Sequence, residues 1–399
     1  MSLFPSGHLQ PIFLPHSSRE VRELTVSMMI REFAGSAIML FEPIYLYTLG
    51  YTVAHICLFY AATYAFYLIL IPLGGKFIRA HGYEHGIIYS TPFLVFYYLS
   101  LFAVAAYPLA IVAAVVCIGL SKTLFWTGFH ADFARFGSAK GAQGGEISMF
   151  TSLALVASIL GPFVGGLLVA AFGYPTLFLV VSALLIISNI PLLMTPEVFV
   201  PRELSYRDAW KRLFRRENRT RLLAFFGYGE ELVVQALWPL FMFLAVPAYA
   251  TLGAIGSAAS LSAAVITYGI GKLTDHRGRH RMVGIGSVGN ALTWLMRIGL
   301  QTHLGVLAAH ILSRATRSAF GIPLIALTYE YARGYSVTKT ALFLEMSVAL
   351  AKLIAALIAF VIVTVAPPGW TALFIMSAMF SLLYLFARRG FPHHVSSSD

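Results

Sequence analysis

Polar side chains recur at helical spacing in two strongly apolar stretches of the sequence. The first stretch carries Glu32 and Glu42 on one predicted helix face. The same positions shifted by 196 residues give a second face, with Tyr228, Glu231, Gln235 and Trp238. A carboxyl group in apolar surroundings is costly as an ion, and it can bind and release a proton when its surroundings change. This pattern predicts proton transfer and the binding of a polar molecule.

Basic and aromatic side chains in other apolar stretches are predicted to face the same space. They are Lys122, Trp126, Arg314, Arg317 and Lys352. These cations nearly balance the acids, so charge does not select the sign of a bound molecule. An alternative interpretation is that the charges pair between helices without contacting a ligand. Arg31 and Glu230 lie about 100° from the polar faces, so we expect them to pair with adjacent helices.

The composition indicates an integral membrane protein. Of the 399 residues, 58% are hydrophobic and only 11% are charged, and the mean hydropathy is +0.78. Apolar runs of about 20 residues recur, which is the length that crosses a bilayer core as a helix. We predict an all-α membrane protein with twelve transmembrane helices, at residues 24–48, 53–74, 86–105, 108–130, 145–171, 174–195, 220–246, 250–271, 282–300, 304–329, 338–365 and 369–387.

The net charge of +11 follows from topology rather than from a nucleic-acid partner. Six of the 28 Lys and Arg residues lie well inside predicted spans, and the other 22 lie in the tails, the even-numbered loops or the helix ends beside them. Basic residues mark the cytoplasmic side of a membrane. We therefore expect both termini to be cytoplasmic, in a plasma membrane of the bacterial inner-membrane type.

An internal repeat divides the chain into two halves. Residues 41–50 match residues 237–246 in pattern, and Pro43 and Pro239 occupy the same position in the two copies. Six spans in each half give both halves the same orientation, as parallel repeats. We predict an N-terminal six-helix half at 1–195, a cytoplasmic linker with an amphipathic helix at 196–219, and a C-terminal six-helix half with a short tail at 220–399.

One polar loop carries a recognisable signature. The stretch GKLTDHRGRHR contains Gly271, Asp275, Gly278 and Arg279, followed by Arg281. Position by position it resembles the loop signature of the major facilitator superfamily, which follows the second and eighth helices. The first-half copy keeps Gly75 and a later glycine, but Arg79 replaces the aspartate. The stretch GPFVGG, residues 161–166, resembles the end of the family's antiporter signature, although helix packing through small residues explains it equally well.

The resemblance implies a duplicated gate on the cytoplasmic side. It places Asp275 beside the start of the eleventh helix, where unpaired backbone N–H groups favour an anion, with Arg333 close by. Arg79 is expected to pair with Asp132 or Glu146. The remaining residues assigned to this gate are Arg135, Glu330 and Glu345.

The resemblance further implies a secondary active transporter that works by alternating access. The first interpretation is proton-coupled antiport, the export of a small organic or amphipathic compound, with Glu231 as a proton carrier that has no fixed charged partner. The alternative is symport or facilitated passage of an organic anion or zwitterion. A membrane enzyme that uses His130 and Asp132 and a sensor without transport are weaker alternatives. The sequence contains no metal or nucleotide motif, so we expect no cofactor and no metal. We further expect a monomer in the bilayer, with a small solute and protons as partners and no nucleic acid.

Overall fold

The protein is a bundle of helices. A computed structural model describes residues 19–136, 143–194, 204–299 and 302–391, and within these ranges it describes all side chains except those of 19–22, 131–136, 143–155, 267–277, 303 and 333. The first half of the described chain comprises α1 (Arg19–Met39), α2 (Glu42–Thr48), α3 (Val53–His81), α4 (Tyr83–Val104), α5 (Ala110–Phe136) and α6 (Gln143–Ser188).

The second half follows a short linker helix, α7 (Tyr206–Phe214). It comprises α8 (Arg219–Phe226), α9 (Gly229–Leu232), a π-helical turn (Val233–Leu237), α10 (Trp238–Ala245), α11 (Tyr249–Arg277), α12 (Arg279–Met296), α13 (His303–Gly334), α14 (Val337–Val365), α15 (Trp370–Leu383) and α16 (Ala387–Gly390). We refer to α1–α6 and α8–α16 as the first and second halves.

Among the residues that the structure describes, eight helical stretches are long and apolar enough to cross a membrane. One of these stretches, Val156–Leu193, contains a non-helical backbone at Gly173, so it includes a turn between two passages. Joined across such breaks, the described helices make twelve passages, consistent with the predicted count. The all-α membrane fold is confirmed, and the described helices are consistent with two repeats of six.

Glycines with positive φ occur at equivalent backbone positions in the two halves. Gly82 and Gly278 separate α3 from α4 and α11 from α12, with φ of 108° and 80°. Gly173 and Gly369 form a second pair 196 residues apart, with φ of 79° and 65°. Side chains disfavour these positive φ values, so glycine ends the helix at equivalent places in both halves.

The two halves are packed together along paired helices. α3 packs on α14, and α6 packs on α11. The α6–α11 contact is a backbone approach, since a Cβ atom on Gly166 would lie 2.6 Å from the carbonyl oxygen of Tyr249. Both contacts frame the polar side chains that lie between the halves.

Candidate functional site

A π-helical turn in the seventh passage sets which of its side chains reach the interior. Five residues, Val233–Leu237, follow Glu231 in this wider turn. An extra residue per turn rotates everything beyond it by about 100°. Glu231 and Gln235 remain partly exposed, whereas Trp238 is fully buried. The structure therefore places Trp238 behind the predicted polar face, where its indole nitrogen donates to His310 over 3.0 Å.

Glu231 is the centre of an ion-paired cluster. Its Oε2 lies 2.6 Å from the Nζ of Lys352 on α14, and its Oε1 lies 2.9 Å from a guanidinium nitrogen of Arg317 on α13. Lys352 also reaches Gln235 Oε1 at 3.5 Å. Four of the predicted site residues thus come together. The expectation that Glu231 has no fixed charged partner is wrong, because the tenth and eleventh passages each bring a cation to it.

Glu230 also pairs with Arg317, through the guanidinium nitrogen that Glu231 does not contact. Its carboxylate is fully buried, accepts from the other terminal nitrogen of Arg317, and accepts from the Trp294 indole over 3.0 Å. The prediction that Glu230 pairs with adjacent helices is confirmed. Arg31 behaves similarly in the first half, where it donates to Ser90 and Thr91 on α4.

Arg297 lies behind this cluster as a buried cation. The guanidinium carbon is 3.6 Å from the ring centroid of Trp294 and 4.0 Å from that of Trp238. The side chain is 1% exposed, and its three nitrogens have no hydrogen-bond partner in the part of the chain that the structure describes. Its charge is stabilised by the two indole faces and by the proximity of Glu230.

Three tyrosines on α3 donate hydrogen bonds to polar side chains of both halves. Tyr60 donates to Glu42 over 2.9 Å, Tyr64 donates to Gln235 over 3.2 Å, and Tyr67 donates to Glu345 over 2.5 Å. Their spacing of four and three residues puts them on one helix face. Sequence reasoning missed this row, although the same spacing is visible in the printed sequence.

Tyr64 also lies between cations from the two halves. Its ring centroid is 5.6 Å from the Lys122 Nζ and 5.4 Å from the Lys352 Nζ. Cations at such distances from an aromatic face are attracted by its electrons. Tyr64 thus brings Lys122 of the first half close to the cluster of the second half.

The helix face that begins at Glu32 borders open space. Glu32 is exposed although it lies inside an apolar passage, Met39 is 46% exposed, and a Cβ atom on Gly35 would meet nothing within 4 Å. Glu32 is within electrostatic range of Arg314 on α13. These two predicted site residues come from opposite halves, and Arg314 is also within electrostatic range of Arg317 in the Glu231 cluster.

A second polar group joins the halves nearer the linker. His130 Nε2 on α5 lies 2.9 Å from Glu345 Oε1 on α14, and His130 Nδ1 lies 2.8 Å from the Tyr329 hydroxyl. Trp126 stacks on His130 at 5.5 Å between ring centroids. Trp126 therefore supports a bridge between the halves, away from the ion pairs of Glu231.

The gate residues can be placed only in part. Arg279 pairs with Glu330 over 2.7 Å, but both belong to the second half. Gly75 of α3 faces Leu342 of α14, where a Cβ atom would lie 2.6 Å from a methyl carbon of that leucine. Arg79 is half-buried and Gly278 is exposed. The side chains at the other predicted gate positions lie outside the described residues: Asp132, Arg135, Glu146, Gly271, Asp275 and Arg333.

The glycines of the GPFVGG stretch lie at helix contacts. A Cβ atom on Gly161 would overlap the Ser36 hydroxyl, and one on Gly165 would overlap the Ala37 carbonyl oxygen, both on α1. Gly166 faces the backbone of Gly253 on α11. Close helix approach therefore accounts for all three glycines without a role in coupling.

Comparison with known proteins agrees with this architecture. The family model for the Major Facilitator Superfamily matches residues 24–249, more than half of the chain. A crystal structure of a mutant of the nucleoside transporter NupG superposes with a TM-score of 0.69 at 14% identity, over 94% of this chain and 100% of that chain. A mutant of the E. coli fucose:proton symporter FucP gives 0.64 at 15% identity, over 94% and 98%. Among curated protein sequences, none matches this chain.

Proposed function

Because the chain belongs to the Major Facilitator Superfamily, we propose that it is a secondary active transporter that moves a small polar organic molecule by proton-coupled symport. The observation that carries this proposal is the polar cluster at the junction of the halves. Tyr64 of the first half donates to Gln235 of the second, beside the Glu231–Lys352 pair. A bond of this kind has to break when the halves separate on one side, so a bound solute that replaces it can bias the equilibrium.

The charges around this cluster favour a solute with hydroxyl groups or with both charge signs. Arg317 and Lys352 are already neutralised by two glutamates. Glu32 and Arg314 remain, with opposite charges on opposite halves and within electrostatic range of each other. A strongly anionic or cationic solute would leave one of these two groups uncompensated, at a cost in desolvation.

We assign the coupling proton to Glu42, in place of Glu231. A proton on Glu231 would compete with two ion-paired cations. Glu42 instead accepts hydrogen bonds from the hydroxyls of Tyr60 and Tyr97, and Lys122 acts on it only at longer range, without an ion pair in the described part of the chain. A hydroxyl can donate to a carboxylate and accept from a carboxylic acid. Glu42 can therefore gain or lose a proton without breaking an ion pair. Glu32, which is exposed on the same helical passage, is the second candidate.

Symport is preferred to the antiport expected from the sequence for two reasons. Packing explains the glycines that suggested an antiporter. One solved structure that shares the fold over 94% of this chain is named a fucose:proton symporter. The antiport alternative predicts the opposite sign of proton movement, so one assay distinguishes the two.

The test is solute-driven proton movement in proteoliposomes that contain a pH-sensitive dye. A panel of sugars, nucleosides and amino acids is added outside. Symport predicts internal acidification with a transported solute, and antiport predicts internal alkalinisation. Glu42→Gln should abolish the proton signal while solute exchange continues, and Glu217→Gln, an exposed linker position, should match the wild type. Solute binding without movement of either species would identify a sensor and overturn the proposal.

A further inference from the structure

A tryptophan holds His310 on α13 in one tautomer. The indole Nε1–H of Trp238 donates to His310 Nδ1 over 3.0 Å. An indole nitrogen can only donate, so Nδ1 must be the acceptor and the ring hydrogen must lie on Nε2. Trp238 is fully buried, and its ring lies at an interplanar angle of 20° to the imidazole. The contact therefore fixes the orientation of the imidazole and the nitrogen that can donate.

The same contact keeps the imidazole of His310 neutral. A protonated ring would carry a hydrogen on Nδ1 and could not accept from Trp238. Arg314 and Arg297 both lie within electrostatic range of the ring, and they oppose a further positive charge there. His310 is therefore a fixed hydrogen-bond donor rather than a carrier of the coupling proton.

The Nε2–H group of His310 has no acceptor among the described residues. The bond from Trp238 is the one hydrogen bond that His310 makes in this part of the chain. Nε2 is not among the polar atoms that are both unpartnered and fully enclosed, so it retains accessible surface, unlike the three nitrogens of Arg297. Polar groups inside proteins are seldom left unpaired. This donor is therefore available to a bound molecule.

His310 belongs to a face of α13 that borders open space. Arg314, Arg317 and Gly321 follow it at four, seven and eleven residues, which places all four on one helix face. Both arginines are partly exposed, and a Cβ atom on Gly321 would meet nothing within 4 Å. Arg317 is paired with two glutamates, whereas Arg314 makes no hydrogen bond or ion pair with a described residue. Helical side chains lean toward the N-terminus, so Arg314 leans toward His310.

We propose that His310 and Arg314 bind the carboxylate of a zwitterionic solute of the amino-acid class. Both side chains are donors without an acceptor of their own, and a carboxylate offers them two acceptor oxygens. Glu32 of the first half lies within electrostatic range of Arg314, and its charge can offset the ammonium group of the solute. The inference rests on the proposed transport of a small polar molecule and specifies its chemical class.

The test measures binding by thermal unfolding of the protein in a nonionic detergent. The common amino acids are compared with their carboxamides, and sugars and nucleosides form separate arms. We expect an amino acid to stabilise the protein, with an apparent affinity at least about tenfold higher than that of its carboxamide. Stabilisation by sugars or nucleosides alone, equal affinity for the carboxamide, or no stabilisation by any amino acid would overturn the inference.

The proteoliposome assay separates failure of this inference from failure of symport. Binding of an amino acid without coupled proton movement would overturn symport and leave the carboxylate site standing. Proton-coupled movement of a sugar, with no amino acid bound, would support symport and overturn the carboxylate site.

Variants of His310 and Arg314 locate the carboxylate. His310→Met has no donor and a similar volume, so it should weaken the apparent affinity for the amino acid about tenfold, whereas His310→Gln keeps N–H groups and should retain most of it. His55→Met makes the same replacement at an exposed position and should have no effect. Arg314→Gln should reduce the preference for the amino acid over its carboxamide, which a merely structural role would not change. Wild-type affinity in His310→Met, or an unchanged preference in Arg314→Gln, would contradict the assignment.

Discussion

His130 and Glu345 join the two halves of the bundle, with the imidazole Nε2 2.9 Å from the carboxylate Oε1. Tyr67 of the first half donates to the same carboxylate. The arrangement gives Glu345 two partners across the junction, within the stretch where Gly75 faces Leu342. Separation of the halves at this end would break both bonds.

We expect Glu345→Gln to shift the population toward a state that is open at the linker end. Loss of a charge-assisted bond changes such an equilibrium by about 1.5 kcal/mol, or roughly tenfold. The measurement is the labelling rate of Thr338→Cys, a buried position beside Tyr83, with Cys57 and Cys117 replaced. Arg279→Gln is the control, because its pair with Glu330 lies within one half. Equal labelling rates with and without Glu345→Gln would show that this bridge does not hold the end closed.

The Glu231–Lys352 pair should be strongly coupled in stability. Glu231→Gln leaves Lys352 without its closest acid, and removing one partner of a buried pair costs about 3 kcal/mol. Lys352→Met should destabilise similarly, and the double variant should lose clearly less than the sum, with a coupling of at least about 1 kcal/mol. Unfolding of the four proteins in detergent tests this. Additive losses would mean that the two charges do not stabilise each other.

The packing of Gly165 against α1 predicts a sharp contrast between two glycines. A methyl group at Gly165 would overlap the carbonyl oxygen of Ala37. Gly165→Ala should therefore displace the two helices and lower the free energy of unfolding by about 2 to 3 kcal/mol. Gly35→Ala lies on α1 facing open space and should be tolerated. Thermal unfolding compares them. If Gly165→Ala is as stable as wild type but fails in transport, the stretch has a coupling role and the antiport interpretation regains support.

Long-range regularities were predictable from the sequence. Hydropathy and the repeat predicted the helical fold, and the two loop copies matched a later glycine of the first copy, Gly82, with Gly278. The structure shows that both glycines lie where a helix ends. Glu231 and Gln235, predicted to share one face of the seventh passage, both contact Lys352 in the structure. Hydropathy, the repeat and the spacing of polar residues along one helix can all be read directly from the sequence.

Contacts between helices were predicted less well. The π-helical turn moved Trp238 into the core, and a 3.6-residue period cannot anticipate an inserted residue. The partners of Glu231 depend on the rotation of two other helices, so Arg317 and Arg314 could not be ranked from sequence. Tyr64 was missed because a tyrosine in an apolar stretch is expected to pack against its neighbours. Only the structure shows that its hydroxyl donates to Gln235.

Arg297 lies between the rings of Trp238 and Trp294. Substitutions of Arg297 can therefore separate the contribution of its charge to stability from the contribution of its packing. Arg297 is fully buried between the two rings, with no hydrogen-bond partner for its nitrogens among the described residues. Its attraction to the indoles and to Glu230 opposes the cost of burying an unpaired cation. These terms are similar in size, so Arg297→Met, which retains the volume, should change stability by less than about 1 kcal/mol.

Arg297→Ala should behave differently, because it leaves a cavity between two large rings. We expect a loss of about 2 to 4 kcal/mol, as for other large-to-small changes in a core. Chemical unfolding followed by tryptophan fluorescence measures both variants, and near-ultraviolet circular dichroism reports on the packing of Trp238 and Trp294. If Arg297→Met is as destabilising as Arg297→Ala, the positive charge itself holds the stack and supports the neighbouring pair of Glu230 with Arg317. A small loss for Met with a large loss for Ala would identify Arg297 as a packing element.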